Sequence, residues 1–131
     1  MVRILIVDDH TRMRESIRNF IEAVPEWQVC AEASSGWEAL HYAEMLQPNL
    51  ILLDVKMPAM NGFEAARRIH ESSPNMPILI LTLHDDPILS QESQSCGARG
   101  FLPKPHMRSG LIQAISTLLR GESHFPGRNS L

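Results

Sequence analysis

Five short apolar runs alternate along this chain with five longer segments of helical periodicity. The apolar runs predict strands at residues 2–7, 27–31, 50–53, 78–81 and 100–102. The segments between and after them carry apolar residues three and four positions apart, and predict helices within 10–24, 36–46, 62–70, 87–97 and 107–121. Strands that are apolar throughout and separated by helices indicate a parallel sheet covered on both faces. The pattern therefore predicts a flavodoxin-like, doubly wound (βα)5 fold with a five-stranded parallel sheet.

The predicted helices differ in how firmly their apolar residues can hold them to the sheet. The second helix follows Ser35, which is suited to cap a helix N-terminus, and its spacing places Trp37 on the buried face. Ile88 and Leu89 are the only large apolar residues of the fourth helix. We therefore expect the fourth helix to be the least anchored of the five.

The composition is that of one globular domain. The chain has 131 residues, of which 44% are apolar and 21% charged, and a net charge of -3 that gives no electrostatic reason for direct binding to nucleic acid or to a membrane. No apolar run approaches the roughly 20 residues of a membrane helix. Cys30 and Cys96 show no metal-binding or redox spacing and suit free thiols. We therefore expect a soluble, cytoplasmic protein.

The C-terminal stretch differs in composition from the remainder. Gly121 is a natural stop for the last helix, and the following residues are rich in Gly, Pro and Ser. We therefore expect one domain at residues 1–121, and the start of a linker or a flexible tail at 122–131.

Polar side chains follow four of the five predicted strands. Asp8 and Asp9 follow the first strand, Asp54 the third, Thr82 the fourth and Lys104 the fifth. Because the carboxyl ends of parallel strands meet at one edge of a sheet, we expect these side chains to converge there. Three neighbouring carboxylates repel one another unless a cation neutralises them, and oxygen ligands suit Mg²⁺ or Mn²⁺. The sequence therefore predicts a divalent-metal site at this edge.

The same residues indicate a chemistry for the site. An aspartate carboxylate can attack phosphorus to form an aspartyl-phosphate. Lys104 and a bound cation would offset the negative charge of the transferring phosphoryl group, and Thr82 could donate a hydrogen bond to it. The six histidines show no metal-ligand spacing and are predicted to be structural or at the surface.

Four motifs in order resemble those of a known family. "ILIVDDH", "LLDVKMPAMNG", "ILTLHDD" and "GARGFLPKP" are similar to the successive motifs of the receiver domain of bacterial two-component response regulators, over about residues 2–120. "DDH", "GARGFLPK" and "LLRGESHFPG" resemble the NarL/FixJ-like subfamily. In that subfamily a receiver usually precedes a linker and a helix-turn-helix domain that binds DNA, which these residues do not include.

The resemblance implies a signalling function rather than that of an enzyme with a separate substrate. It implies that Asp54 accepts a phosphoryl group from a sensor histidine kinase in a Mg²⁺-dependent reaction, and that Lys104 and Thr82 hold the phosphoryl oxygens. The chain would catalyse only its own phosphorylation and dephosphorylation, and would switch conformation to control an output such as transcription.

The resemblance also assigns metal ligands and switch residues. Asp9, Asp54 and the backbone carbonyl of Lys56 would bind the metal ion, with Asp8 acting through water. The switch would pair Thr82 with Phe101, the aromatic residue that reorients. Lys56 and His84 occupy positions that tune the lifetime of the aspartyl-phosphate, and Pro105 matches a proline often preceded by a cis bond. The face of the fourth helix, fifth strand and fifth helix would bind a partner or form a homodimer.

Other functions fit part of the pattern. A haloacid-dehalogenase-like phosphatase needs a second acid two positions after its aspartyl nucleophile, where this chain has Lys56. A flavin- or nucleotide-binding module needs a phosphate-binding loop after the first strand, where Asp8 and Asp9 would repel phosphate. The alternative that stays open is a stand-alone or phosphorylation-independent receiver-like module that binds other proteins.

Overall fold

The computed structural model describes residues 1–83 and 86–125, which form a five-stranded parallel sheet. The strands are β1 Val2–Val7, β2 Trp27–Ala33, β3 Leu50–Leu53, β4 Ile78–Thr82 and β5 Gly100–Pro103. Their order in the sheet is β2-β1-β3-β4-β5, and all neighbouring pairs are parallel. This is the order of a flavodoxin-like doubly wound sheet, so the predicted fold is confirmed.

Five α-helices cover the two faces of the sheet. They are α1 Thr11–Glu22, α2 Gly36–Leu46, α3 Gly62–Ser72, α4 Pro87–Ser95 and α5 Met107–Leu119, and a short 3-10 helix at Lys104–His106 precedes α5. Helices α1 and α5 pack on one face, and α2 and α3 pack on the other. Ser93 is the one fully buried residue of α4, in line with the weak apolar pattern of that segment.

Successive residues of each strand point to opposite faces of the sheet, which divides the core in two. In β1, Ile4 and Ile6 pack under α1 and α5, while Leu5 and Val7 pack under α2 and α3. These four side chains are almost completely buried. Covering both faces with helices explains why the strands are apolar at every position rather than at alternate ones.

The prediction that Trp37 lies on the buried face of α2 was wrong. Its side chain is 56% exposed, and the guanidinium carbon of Arg68 lies 5.2 Å from the centre of its ring. The buried face of α2 instead carries Gly36, Ala39 and Ala43. A Cβ at position 36 would lie only 2.9 Å from the side chain of Met60, so the helix packs too closely for a large residue on that face. The predicted cap is confirmed, because the Ser35 side chain accepts a hydrogen bond from the Glu38 N–H group.

The chain turns back on itself after α5. Gly121 has a φ of 86°, and the N–H groups of Gly121 and Glu122 donate to carbonyl groups of the last turn of α5. The turn brings His124 beside the outer edge of β5, where its N–H group donates to the Arg99 carbonyl at 2.9 Å. The His124 carbonyl accepts a hydrogen bond from the Phe101 N–H group at 2.8 Å.

We call residues 121–125 the C-terminal clasp. The clasp adds an isolated parallel bridge between His124 and Gly100, and Phe125 packs against the core on the α2–α3 face. Of residues 122–125, predicted as part of a linker or tail, His124 is paired with the edge of β5, whereas the prediction for 126–131 lies outside the described residues. Among the described residues, none of the helices is long and apolar enough to cross a membrane.

Candidate functional site

The carboxyl ends of β1 and β3 bring three aspartates to one edge of the sheet. The Asp54 N–H group donates to the Val7 carbonyl at 2.9 Å, which continues the β1–β3 ladder one residue beyond β3. The Asp8 N–H group donates to the Ala33 carbonyl of β2 at 3.0 Å. Oxygens of Asp8, Asp9 and Asp54 and a ring nitrogen of His10 all lie within 4.8 Å of one another. The predicted convergence of the three acids is therefore what the structure has.

The Asp54 side chain is almost completely excluded from solvent. It is 5% exposed, and its Oδ1 atom accepts a hydrogen bond from the Val55 N–H group at 2.9 Å. Burial raises the pKa of Asp54 above its ordinary value of 3.8, the nearby charge of Asp8 raises it further, and Lys104 opposes both effects. The ionised form of this carboxylate is therefore costly without an additional cation.

Lys104 contacts two of the three aspartates, and its closer partner is Asp8. The Nζ atom lies 2.7 Å from Oδ2 of Asp8 and 3.5 Å from Oδ1 of Asp54. Oδ1 of Asp8 also accepts a hydrogen bond from the His10 N–H group at 2.9 Å. Both oxygens of Asp8 are thus engaged by this chain, while Asp54 has the longer contact with the ammonium group.

Asp9 places one carboxylate oxygen in the cluster, 3.0 Å from Nδ1 of His10. Its side chain is 26% exposed, yet its Oδ1 atom is buried and has no hydrogen-bond partner among the described residues. A buried acceptor without a donor is unfavourable, and a divalent cation satisfies it. Two or three carboxylates with one free oxygen make a hard donor set that fits Mg²⁺ or Mn²⁺.

The loop after Asp54 packs closely against the strand end. The Gly62 N–H group donates to the Val55 carbonyl at 2.8 Å, and the Asn61 side chain accepts from the Glu64 N–H group to cap α3. A Cβ at position 62 would overlap the carbonyl oxygen of Asp54. Glycine at this position therefore allows the start of α3 to fix the residue that carries the carboxylate.

The remaining predicted residues lie around this cluster with different exposure. Thr82 is 1% exposed at the end of β4. Phe101 is 2% exposed, so its ring already lies inside the core. The Lys56 side chain is exposed, and the peptide bond before Pro105 is trans. His84, predicted to tune the lifetime of the aspartyl-phosphate, lies outside the described residues.

Two residues at the site were missed at the sequence level. The Nδ1 atom of His10 lies 3.0 Å from Oδ1 of Asp9. Its side chain is 67% exposed, as predicted for a surface histidine, but its contact with the acids was not predicted. Arg14 donates from Nη1 to the Asp8 carbonyl at 2.6 Å and from Nε to Glu32 at 2.9 Å. Their positions in the sequence could have identified them, because His10 directly follows the two acids and Arg14 lies one helical turn after His10.

Comparison with protein families gives one match that spans most of the chain. Residues 4–116 match the family described as the response regulator receiver domain. The chain is 34% identical over 125 residues to the response regulator GacA of Pseudomonas viridiflava, covering 95% of this chain and 58% of that protein. It is 32% identical over 123 residues to the transcriptional regulatory protein DegU of Brevibacillus brevis, covering 94% and 52%. The chain thus spans little more than half the length of these relatives.

Solved structures give the same picture of the fold. A two-component response regulator of the LuxR family from Aurantimonas sp. SI85-9A1 superposes with a TM-score of 0.92 at 33% identity, covering 96% of this chain and 91% of that one. The signal receiver domain of the putative response regulator NarL from Mycobacterium tuberculosis superposes with a TM-score of 0.87 at 29% identity, covering 92% and 98%. Both superpositions cover more than nine tenths of this chain.

Proposed function

Since the chain belongs to the response regulator receiver domain family, with relatives of the NarL/LuxR type, we propose that Asp54 accepts a phosphoryl group from a sensor histidine kinase. The observation that carries the proposal is the environment of its carboxylate. Asp54 is buried at the tip of β3, 3.5 Å from the Lys104 ammonium group, in a cluster with a buried oxygen of Asp9 that lacks a donor. Such a cluster is unfavourable until positive charge is added.

The chemistry assigned to this chain is the transfer of a phosphoryl group to oxygen. An oxygen of Asp54 forms a bond to phosphorus as the bond from phosphorus to the kinase histidine breaks, and the leaving imidazole keeps the electron pair. Lys104 offsets the negative charge on the phosphoryl oxygens, and Thr82 donates a hydrogen bond to one of them. The position of Thr82 supports this role, because it lies buried at the end of β4, the strand next to β3 in the sheet.

The donor set fits a divalent cation. We propose that Asp9, Asp54 and the Lys56 carbonyl bind this cation directly, and that Asp8 acts through water. The contacts of the two acids after β1 support this division, since both oxygens of Asp8 have hydrogen-bond partners within the chain and Oδ1 of Asp9 accepts no hydrogen bond from the described residues. When bound, Mg²⁺ supplies positive charge beside the phosphoryl oxygens.

The output follows from a change in charge and packing at the sheet edge. A phosphoryl group on Asp54 draws the Thr82 side chain toward it, and this displacement changes the packing of Phe101 and of the face formed by α4, β5 and α5. We assign partner binding or homodimer formation to that face, where Ile88 is 62% exposed. Because relatives are named transcriptional regulatory proteins, we assign the control of transcription as the output.

The test is incubation of the purified chain with acetyl phosphate and Mg²⁺, followed by measurement of the intact mass. Wild type should gain one phosphoryl mass, and Asp54→Asn should gain none. Asp86→Asn is the matched control, since Asp86 is an exposed helix cap that asparagine replaces well. It should be phosphorylated like wild type.

Removing divalent ions with a chelator should abolish the gain of mass in wild type. A phosphoryl group that persists in Asp54→Asn would refute the assignment of the acceptor. Wild type that stays unmodified by acetyl phosphate and by purified histidine kinases would favour the phosphorylation-independent binding module instead.

A further inference from the structure

His10 presents a nitrogen to the acidic cluster. Its Nδ1 atom lies 3.0 Å from Oδ1 of Asp9 and 3.3 Å from Oδ1 of Asp8. The backbone sets this position, because the His10 N–H group donates to Asp8 and the residue has an extended conformation with φ of -105° and ψ of 116°. The ring therefore stands at the mouth of the site, with 67% of the side chain exposed.

The ring nitrogen of His10 is not used to stabilise the adjacent helix. His10 is the N-cap residue of α1, but its side chain makes no capping hydrogen bond. The helix start is instead supported by the Arg14 N–H group, which donates to the His10 carbonyl at 3.1 Å. The placement of the imidazole thus has no structural function at the helix terminus.

The nearest acceptor to this nitrogen is the oxygen that lacks a donor. Oδ1 of Asp9 is buried and accepts no hydrogen bond from the described residues, although Nδ1 of His10 is only 3.0 Å away. Neighbouring ligand atoms around an octahedral ion with bonds of about 2.1 Å are separated by about 3.0 Å. The two atoms are therefore spaced as adjacent ligands of one ion.

We propose that Nδ1 of His10 is a direct ligand of the divalent ion at this site. The ion would then have carboxylate, backbone carbonyl and water oxygens as ligands, together with one imidazole nitrogen. The proposal rests on the metal site assigned above and specifies its selectivity. Imidazole nitrogen binds Mn²⁺ weakly and Co²⁺, Ni²⁺ and Zn²⁺ strongly, whereas Mg²⁺ favours oxygen. His10 therefore shifts the site toward transition-metal ions and contributes little to the binding of Mg²⁺.

The test compares the binding of MgCl₂ and NiCl₂ by isothermal titration calorimetry in wild type and His10→Ala. We expect the dissociation constant for Ni²⁺ to rise by roughly tenfold or more in His10→Ala, and that for Mg²⁺ to change by less than about twofold. His41→Ala is the matched control, because His41 is an exposed histidine on α2. Its two dissociation constants should equal those of wild type. Far-UV circular dichroism establishes that the variants are folded.

A second measurement does not depend on a variant. In a long-range ¹H–¹⁵N spectrum of the imidazole groups, ZnCl₂ should shift Nδ1 of His10 and leave the His41 signals in place. An unchanged Ni²⁺ constant in His10→Ala, or equal losses for Ni²⁺ and Mg²⁺, would overturn the proposal. Wild type that binds Ni²⁺ through His10 but does not bind Mg²⁺ would support it and would refute the Mg²⁺ site instead. Wild type that binds neither ion would refute both.

Discussion

The ammonium group of Lys104 lies 2.7 Å from Oδ2 of Asp8, and both side chains are almost completely buried. The pair joins the end of β5 to the end of β1 across the sheet edge. A buried ion pair of this kind is costly to break, because the remaining charge has no water to solvate it. The same ammonium group is 3.5 Å from Oδ1 of Asp54. The charge on Asp54 therefore determines whether Lys104 interacts more strongly with Asp8 or with Asp54.

Replacing Lys104 by methionine should destabilise the folded chain. Lys104→Met leaves Asp8 and Asp54 buried without their cation, and we expect the free energy of unfolding at pH 7 to fall by about 3 kcal/mol. Urea denaturation in the presence of a chelator measures the change. Lys56→Met is the matched control, because Lys56 is exposed beside the same site, and it should change the value by less than about 0.5 kcal/mol. Equal losses of unfolding free energy in Lys104→Met and Lys56→Met would contradict the conclusion that the buried Lys104–Asp8 pair stabilises the fold.

Removing the charge of Asp54 should stabilise the metal-free chain in a way that depends on pH. The raised pKa means that the folded state binds this proton more tightly than the unfolded state does. The contribution of Asp54 to the free energy of unfolding is therefore lost as the pH rises from 3.8, its ordinary pKa, through its raised pKa in the folded state. With a chelator present, Asp54→Asn should melt a few degrees above wild type at pH 7, and the difference should shrink toward pH 4.

Thermal unfolding between pH 4 and pH 8 checks this expectation. Asp86→Asn serves as the control, since asparagine caps α4 as well as aspartate does, and its difference from wild type should stay small throughout. An advantage of Asp54→Asn that is constant with pH would show that ionisation of Asp54 is not its cause.

Gly62 should tolerate no side chain. In Gly62→Ala the new Cβ overlaps the Asp54 carbonyl oxygen, which is backbone and cannot move freely, so we expect a loss of about 2 kcal/mol or more. Gly110→Ala is the matched control within α5, where the nearest atom to a new Cβ lies 3.4 Å away on Leu102. That variant should gain up to about 1 kcal/mol from helix propensity. Urea denaturation of both variants provides the comparison.

Thr82→Val should separate stability from function. Valine has nearly the same shape as threonine and suits a buried strand position, so the melting temperature should stay close to that of wild type. Phosphorylation by acetyl phosphate should slow by roughly tenfold or more if the hydroxyl serves the transferring group. Normal phosphorylation with normal stability would remove Thr82 from the proposed site.

The strands and the position of the acids could be predicted because both depend on local sequence. Leu50–Leu53 is apolar at four consecutive positions, as expected of a strand covered on both faces, and Asp54 follows at once. Once the strands are parallel, their polar ends must share an edge. The prediction of the three converging carboxylates needed no more information than this.

The remaining contacts depend on packing between distant segments. Two periodic faces exist on α2, and the face with Gly36 and Ala39 is buried rather than that with Trp37 because the helix lies close to Met60. The preference of Lys104 for Asp8 over Asp54 is set by the reach of a long side chain across several strands. No spacing in the sequence encodes either outcome.

The C-terminal clasp has a practical consequence for anyone who excises this unit from a longer polypeptide. The outer edge of β5 is paired with the C-terminal clasp, so cleavage directly after Gly121 would remove two ladder hydrogen bonds and expose a strand edge prone to self-association. A version that stops after Phe125 should remain monodisperse in light scattering, whereas one that stops after Gly121 should aggregate on mild heating.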